Sequence, residues 1–206
     1  MPKISDARRA ERREQILNAA WTCFQREGLH ATTMDDIIVA SGLSAGAVYR
    51  YFPSKEDLIV AAVTTSLSGI RALLDPLLLQ DPLLPPQRLL EAITAAIDRF
   101  SARDGFDLKR LALLGWSEAQ RNERLRATML GFYAGFRSQL ADACRAWIAA
   151  GMIPRAAAPE EVAKALLALI LGFVVQAAIL GDVDPASVAR GAVQLGVADP
   201  GALPYR

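Results

Sequence analysis

Residues 32–58, TTMDDIIVASGLSAGAVYRYFPSKEDL, read as two short helices joined by a glycine turn and followed at once by a capped third helix. Thr33 is placed to N-cap the first, since its hydroxyl can accept a hydrogen bond from the free N–H groups of the opening turn. Asp35 and Asp36 also suit the positive end of that helix. Gly42 ends it: a helix C′ position favours the left-handed conformation, which glycine takes without a steric penalty. The chain then turns and restarts after Leu43, with Ser44 as the next cap. In the second helix Val48 and Phe52 share one face, with Leu43 just before it, while Gly46, Ala47, Tyr49 and Arg50 fall on the other. Pro53 and Ser54 stop that helix, and Ser54 caps a third whose first turn carries Glu56 and Asp57.

One face of the second helix can pack. The other presents small residues, a phenol and a guanidinium, the set a helix in a major groove needs for close approach, phosphate hydrogen bonds and base-edge contact. The stretch therefore implies a helix-turn-helix over about 33–52 that reads double-stranded DNA. The competing reading of Tyr49 and Tyr51 is that they pack at a helix surface.

The run YRYFPSKE, residues 49–56, placed directly after such a unit, resembles the signature of the tetracycline-repressor (TetR) family of bacterial transcription regulators. GWSEAQRNERLR, residues 115–126, is similar to a segment common in the ligand domains of that family. The chain departs from the pattern at Ile38, at Ala45 and at Asn122, where the family often has a small residue, a basic residue and Asp-Pro respectively. The resemblance implies an all-α fold of about nine helices, with a helix-turn-helix DNA-binding domain in residues 1–57 and a helical ligand-binding and dimerisation domain in 58–206. It further implies phosphate contacts from Thr33, Tyr49, Tyr51 and Lys55, and places Ala45, Gly46 and Arg50 nearer the bases, with Ser44 and Ala47 completing the contact segment. It implies a cytoplasmic homodimer on a palindromic operator, repression as the usual outcome, and release by a small-molecule effector. No cofactor or metal is expected.

Composition constrains these expectations. The chain has 206 residues, 52% of them hydrophobic, enough for a small DNA-binding unit and a larger core. Net charge is only +1, so bulk basicity does not argue for nucleic acid. The charge signal is local: Lys3, Arg8, Arg9, Arg12 and Arg13 outnumber Asp6, Glu11 and Glu14 at the amino end, where they can reach phosphates or simply be solvated. Cys23 and Cys144 are far apart and suggest neither a disulfide framework nor a metal site. The amino end lacks the apolar region of an export signal.

Helical periodicity predicts a first helix from about Ala7 to Glu27, ended by Gly28, with Ile16, Leu17, Ala20 and Phe24 as its apolar stripe. A fourth helix runs from Ser54 toward Leu74, and the proline-rich stretch 75–86 is expected to be irregular. Further helices are predicted near 87–102, 107–117, 123–150, 160–181 and 185–195, the last two opened by Pro159 and by Asp184 with Pro185.

The eighth helix is apolar on all sides, so one side must face its own core and another needs a second subunit. Leu166, Leu169, Ile170, Phe173, Val174, Ala177, Val188 and Val193 are the expected dimer residues. The candidate wall of an effector pocket is Phe100, Arg103, Phe106, Trp116, Met129, Phe132, Phe136 and Phe173, with Glu118 and Gln176 as polar anchors, a set that favours a largely hydrophobic ligand. Two alternatives stay open. The uncharged run 165–181 would suit a membrane-associated or scaffold protein, although it is short and interrupted by Gln176. An enzyme would have to work with His30, the sole histidine, and without a nucleophile elbow, metal-ligand spacing or phosphate-binding glycine loop.

Overall fold

A computed structural model describes residues 6–101 and 108–196. Among them are nine helices and no strand: α1 (Asp6–Ala31), α2 (Met34–Ser41), α3 (Ala45–Tyr51), α4 (Lys55–Leu79), α5 (Pro86–Ser101), α6 (Leu108–Glu118), α7 (Glu123–Ala149), α8 (Pro159–Ile179) and α9 (Pro185–Gly196). They form two compact units, residues 1–68 with 110–129, and residues 69–109 with 130–206.

In the first unit α1 packs on α2 and α2 on α3. The expected stripe of α1 is its buried face, with Ile16, Ala20, Cys23 and Phe24 fully covered and Trp21 set edge-on to Phe24. Gly28 breaks α1 at φ 82°, so the residues after it form a separate short turn whose end is fixed by the Thr32 hydroxyl donating to the Gly28 carbonyl. A domain boundary at 57/58 falls inside α4, and the first unit continues past it. Leu58, Ile59, Ala62 and Val63 are buried along α4, Arg124 pairs with Asp57 at 2.8 Å, and Gly115 stands against Val63 and Met129. Sequence order hides these contacts because their partners lie about fifty to seventy residues apart.

In the second unit α5 packs on α9 and α8, and α8 on α9. Helix α4 runs to Leu79, so the expectation of irregular chain from Asp75 holds only for residues 80–85. Pro76 is tolerated within the last turns, where it removes one N–H donor, while Leu74 is buried and Gln139 donates to the Asp75 carboxylate at 3.0 Å. The Gln80 side chain then donates to the Leu77 carbonyl at the helix end. Trp147, almost fully covered, donates its indole N–H to the Leu84 carbonyl and fastens residues 80–85 to α7. Asp184 caps α9 as expected, its carboxylate accepting from the Ser187 N–H at 2.9 Å.

The buried face of α8 carries Ala163, Ile170, Phe173 and Val174. Three of the expected dimer residues are therefore interior to their own chain, with Ile170, Phe173 and Val174 at 2%, 0% and 7% exposure. Leu166, Leu169, Ala177 and Val188 are half-buried. The outward stripe of α8 is offset from them by about a third of a turn: Ala165, Ala168, Gln176 and Ile179, continued by exposed Leu180 and, on α9, by Val193 and Leu195. By length and apolarity alone both α4 and α8 are long enough to cross a membrane.

Candidate nucleic-acid interface

The site is built by three caps. Thr33 and Asp36 form a reciprocal box: the Thr33 hydroxyl accepts from the Asp36 N–H at 3.2 Å, and the Asp36 carboxylate accepts from the Thr33 N–H at 2.8 Å. The Ser44 hydroxyl accepts from the Ala47 N–H at 3.3 Å and starts α3. Ser54 accepts from the Asp57 N–H at 3.1 Å while donating its hydroxyl to the Asp57 carboxylate at 2.7 Å. These contacts hold Asp36 and Asp57 below their ordinary carboxylate value of 3.8. The cause at Asp36 is first the Thr33 hydroxyl; at Asp57 it is first the Ser54 hydroxyl and then Arg124.

Between the first two caps Gly42 takes φ 67° and closes α2 with its N–H on the Val39 carbonyl, which sets the turn of the motif. Gln15 reaches from α1 to the Ser41 carbonyl at 2.8 Å, tying that turn to the body of the unit. Val48 and Phe52 point inward, and the guanidinium of Arg13 lies 5.3 Å from the Phe52 ring centroid. That places Arg13, one of the amino-terminal cations, against the protein surface.

The opposite face of α3 is open. Ser44, Ala45, Gly46, Tyr49 and Arg50 are exposed and Ala47 and Tyr51 half-buried. A Cβ built on Gly46 would meet nothing within 4 Å and the backbone there is ordinary helix, so nothing inside the protein requires glycine at this position. Its smallness keeps the surface low beside Tyr49 and Arg50.

Two expected phosphate contacts carry internal duties. The Thr33 hydroxyl donates to Asp36 at 2.6 Å while accepting from the Asp36 N–H, so it is committed to the cap. The Lys55 ammonium donates to the His30 and Thr32 carbonyls at 3.1 and 2.9 Å, fixing the α1–α2 corner with two of its three hydrogens. The Thr33 cap was legible in the sequence; the Lys55 clamp was not, because a carbonyl acceptor has no residue identity.

The expected effector wall divides between the two units. Trp116, Glu118 and Met129 belong to the first unit; Phe100, Phe132, Phe136, Phe173 and Gln176 belong to the second; Arg103 and Phe106 lie outside the described residues. Phe132 and Phe136 do meet, their rings stacked at 6.3 Å, beside Arg71, Leu74, Asp75 and Gln139. Phe100 packs on Gly69, where a Cβ would come within 3.0 Å of the ring. Phe173 is core, and Gln176 sits on the outward stripe of α8, so it cannot serve as an inward anchor in its own unit. Sequence reasoning missed Arg71, Asp75 and Gln139; the i, i+4 spacing of the first two was the available signal.

Glu118 is buried, and its Oε2 has no hydrogen-bond partner; His30 Nε2 at 3.7 Å and Arg121 Nε at 3.9 Å are its facing cations or donors. Burial pushes the Cys144 thiol up to about 11, which keeps it protonated near neutrality. Among the described residues no group of three His, Cys, Asp or Glu side chains is placed to hold a metal ion.

Residues 16–62 match the family described as bacterial regulatory proteins, tetR family, and residues 85–199 match the BetI-type transcriptional repressor, C-terminal family. The chain is 30% identical over 148 residues to the HTH-type transcriptional regulator BetI of Rhizobium meliloti, covering 71% of this chain and 70% of that one. It is 41% identical over 73 residues to the HTH-type transcriptional regulator YfiR of Bacillus subtilis, a match that spans only 36% of that protein's length. Among solved structures it is similar to Salmonella enterica GusR, with a TM-score of 0.73 at 26% identity over 94% of this chain and 96% of that one. With a family match across more than half its length, a second across the capped helices, and α3 presenting its open face, this chain belongs to the TetR family of bacterial transcription regulators, with a BetI-type C-terminal region.

Proposed function

We propose that the chain is a sequence-specific DNA-binding regulator that acts as a cytoplasmic homodimer and represses transcription until a small, largely hydrophobic effector releases it. The observation that carries this reading is the open face of α3: a buried Val48 and Phe52 hold the helix, while Ala45, Gly46, Tyr49 and Arg50 stand clear of the protein. Tyr49, Tyr51 and the Ser44 hydroxyl set register on phosphates, and Arg50 donates to a base edge. Thr33 and Lys55 act one step back, as the cap and the corner clamp that aim this face. Residues 1–57 supply the reading function and 58–206 the dimer and effector functions.

The dimer is formed by the outward stripe of α8 with α9, whose exposed Ile179, Leu180 and Leu195 would otherwise face water. Two copies of α3 then meet successive major grooves about 34 to 36 Å apart, so the operator is palindromic. The stacked Phe132 and Phe136 beside Arg71 and Gln139 support an effector region in the second unit.

Selection of bound fragments from random DNA tests the reading. The expected product is an inverted repeat, bound by the wild-type chain well above bulk competitor. Arg50→Ala should lose about 1 to 3 kcal/mol of discrimination at one position of each half-site. Tyr49→Ala should weaken all sequences alike. Recovery of no enriched site, or equal losses on specific and random DNA for Arg50→Ala, would overturn it.

A further inference from the structure

Among the described residues Glu118, at the end of α6, is the one buried carboxylate. Its side chain is 10% exposed and its Oε2 accepts no hydrogen bond. Arg121 Nε stands 3.9 Å away, at the limit of ion pairing, and the imidazole Nε2 of His30 stands at 3.7 Å. A carboxylate taken out of water needs cations or donors to offset its lost hydration. Arg121 is a permanent cation, whereas His30 is one only when protonated.

Both residues belong to the first unit, and each is set in a stiff corner. The Glu118 carbonyl accepts from the Arg121 and Asn122 N–H groups at 3.0 and 2.9 Å, and the Asn122 side chain then caps α7 on the Leu125 N–H at 3.0 Å. On the other side Gly28 turns the chain out of α1, Leu29 is buried, and the His30 side chain is left 62% exposed. The His30 carbonyl is one of the two that the Lys55 ammonium holds, and the other belongs to Thr32, next to the Thr33 cap of α2. The imidazole therefore faces the α6–α7 corner from the segment on which α2 starts. The charged groups around it are Glu118 on α6, Arg121 in the turn that follows, and Lys55 on α4. Arg26 and Glu27 of α1 pair with each other, and Arg124 of α7 pairs with Asp57 of α4 at 2.8 Å.

We infer that His30 and Glu118 form a proton-operated latch, in which Glu118 is a positioning residue for operator binding that acts through the protonated imidazole. Histidine changes charge between about pH 5 and 8. With His30 neutral, Glu118 is faced by the Arg121 charge alone. A proton on His30 gives Glu118 a second cation, ties the α1–α2 corner to the end of α6, and steadies the base from which α3 is aimed. That contribution is present while the imidazole is charged and is lost as pH rises and the proton leaves. The imidazole is largely in water, so the gain is small, about two- to fivefold in affinity. The latch rests on the DNA-reading role of α3 for its consequence, while the contact itself exists without DNA.

Operator affinity of the full chain, measured by fluorescence anisotropy on a selected site at constant ionic strength, should tighten about two- to fivefold from pH 8 to pH 6. His30 is the sole histidine, so His30→Gln should lose that dependence. Glu118→Gln keeps the histidine and should lose it too, which separates a latch from simple attraction of a charged imidazole to phosphates. His30→Arg, always charged, should bind equally at both pH values, and adding Glu118→Gln should weaken it about two- to fivefold. Without DNA, the protection of the Thr32 amide against hydrogen exchange, taken as the ratio of wild type to Glu118→Gln, should rise about two- to fivefold over the same pH change. A wild type indifferent to pH, a pH dependence that survives in Glu118→Gln, or an exchange ratio that stays constant would each overturn the latch. Failure to recover any operator would instead overturn the DNA-reading role, and the exchange ratio alone would then decide the latch.

Discussion

The two compact units hold themselves together differently. In the first, three short elements are fixed by reciprocal caps and by side chains that reach backbone carbonyls: Thr33 with Asp36, Ser44 with Ala47, Ser54 with Asp57, Gln15 on Ser41, and Lys55 on His30 and Thr32. In the second, long helices rely on apolar contact, with Trp147, Phe173, Leu89, Ile93 and Leu140 all covered and an apolar stripe of α8 left outside. Polar caps are directional, so they set where α3 points to within a hydrogen bond. Apolar contact is not directional, which leaves a surface able to repack against a second subunit or a ligand.

That contrast can be broken most severely from within the second core. Phe173→Ala should lower the free energy of unfolding by about 3–5 kcal/mol, read by chemical denaturation, because a fully covered aromatic ring leaves a cavity. A loss below about 1 kcal/mol would mean that the core is placed wrongly. Ile179→Lys, on the exposed stripe, should leave helix content intact yet shift the dimer–monomer midpoint in sedimentation about tenfold or more toward monomer. If it lowered thermal stability of the monomer instead, the residue would belong to the core.

Within the first unit the effects should be smaller. Thr33→Ala removes the cap of α2 and should cost about 1 kcal/mol, with a matching drop in operator affinity as α3 loses its aim. Asp36 and Asp57 have folded values lowered by their hydroxyl partners, so their contribution is present above the ordinary value of 3.8 and is lost as pH falls through the lowered values. The wild type should therefore be more stable than Asp36→Asn with Asp57→Asn at pH 5, and the difference should shrink as pH falls below 3.8 through the lowered values. A difference that grew as pH fell would reverse the assigned direction.

Much of the first unit was legible from local chemistry. Gly42 needs a left-handed backbone, Ser44 and Ser54 need only the next turn, and all three behave in the structure as their sequence positions imply. The start of α9 at Asp184 was legible for the same reason. The proline-rich stretch misled, because Pro76 near a helix end removes a single donor and the buried Leu74 keeps the turn in place. The effector and dimer residues were read from residue type alone, and type does not say which side of an all-apolar helix faces inward. Phe173 and Gln176 are only three positions apart on α8, yet the first is buried and the second exposed.

Sequence alone determined the helices, the capped turn at Gly42 and the composition of the open face of α3, since each depends on interactions within about four residues. Tertiary structure decided that Lys55 clamps a corner, that Arg13 covers Phe52, that residues 110–129 join the first unit, and that Glu118 faces His30. Those outcomes depend on partners far along the chain or on backbone atoms that every residue shares, and neither leaves a mark in the order of side chains.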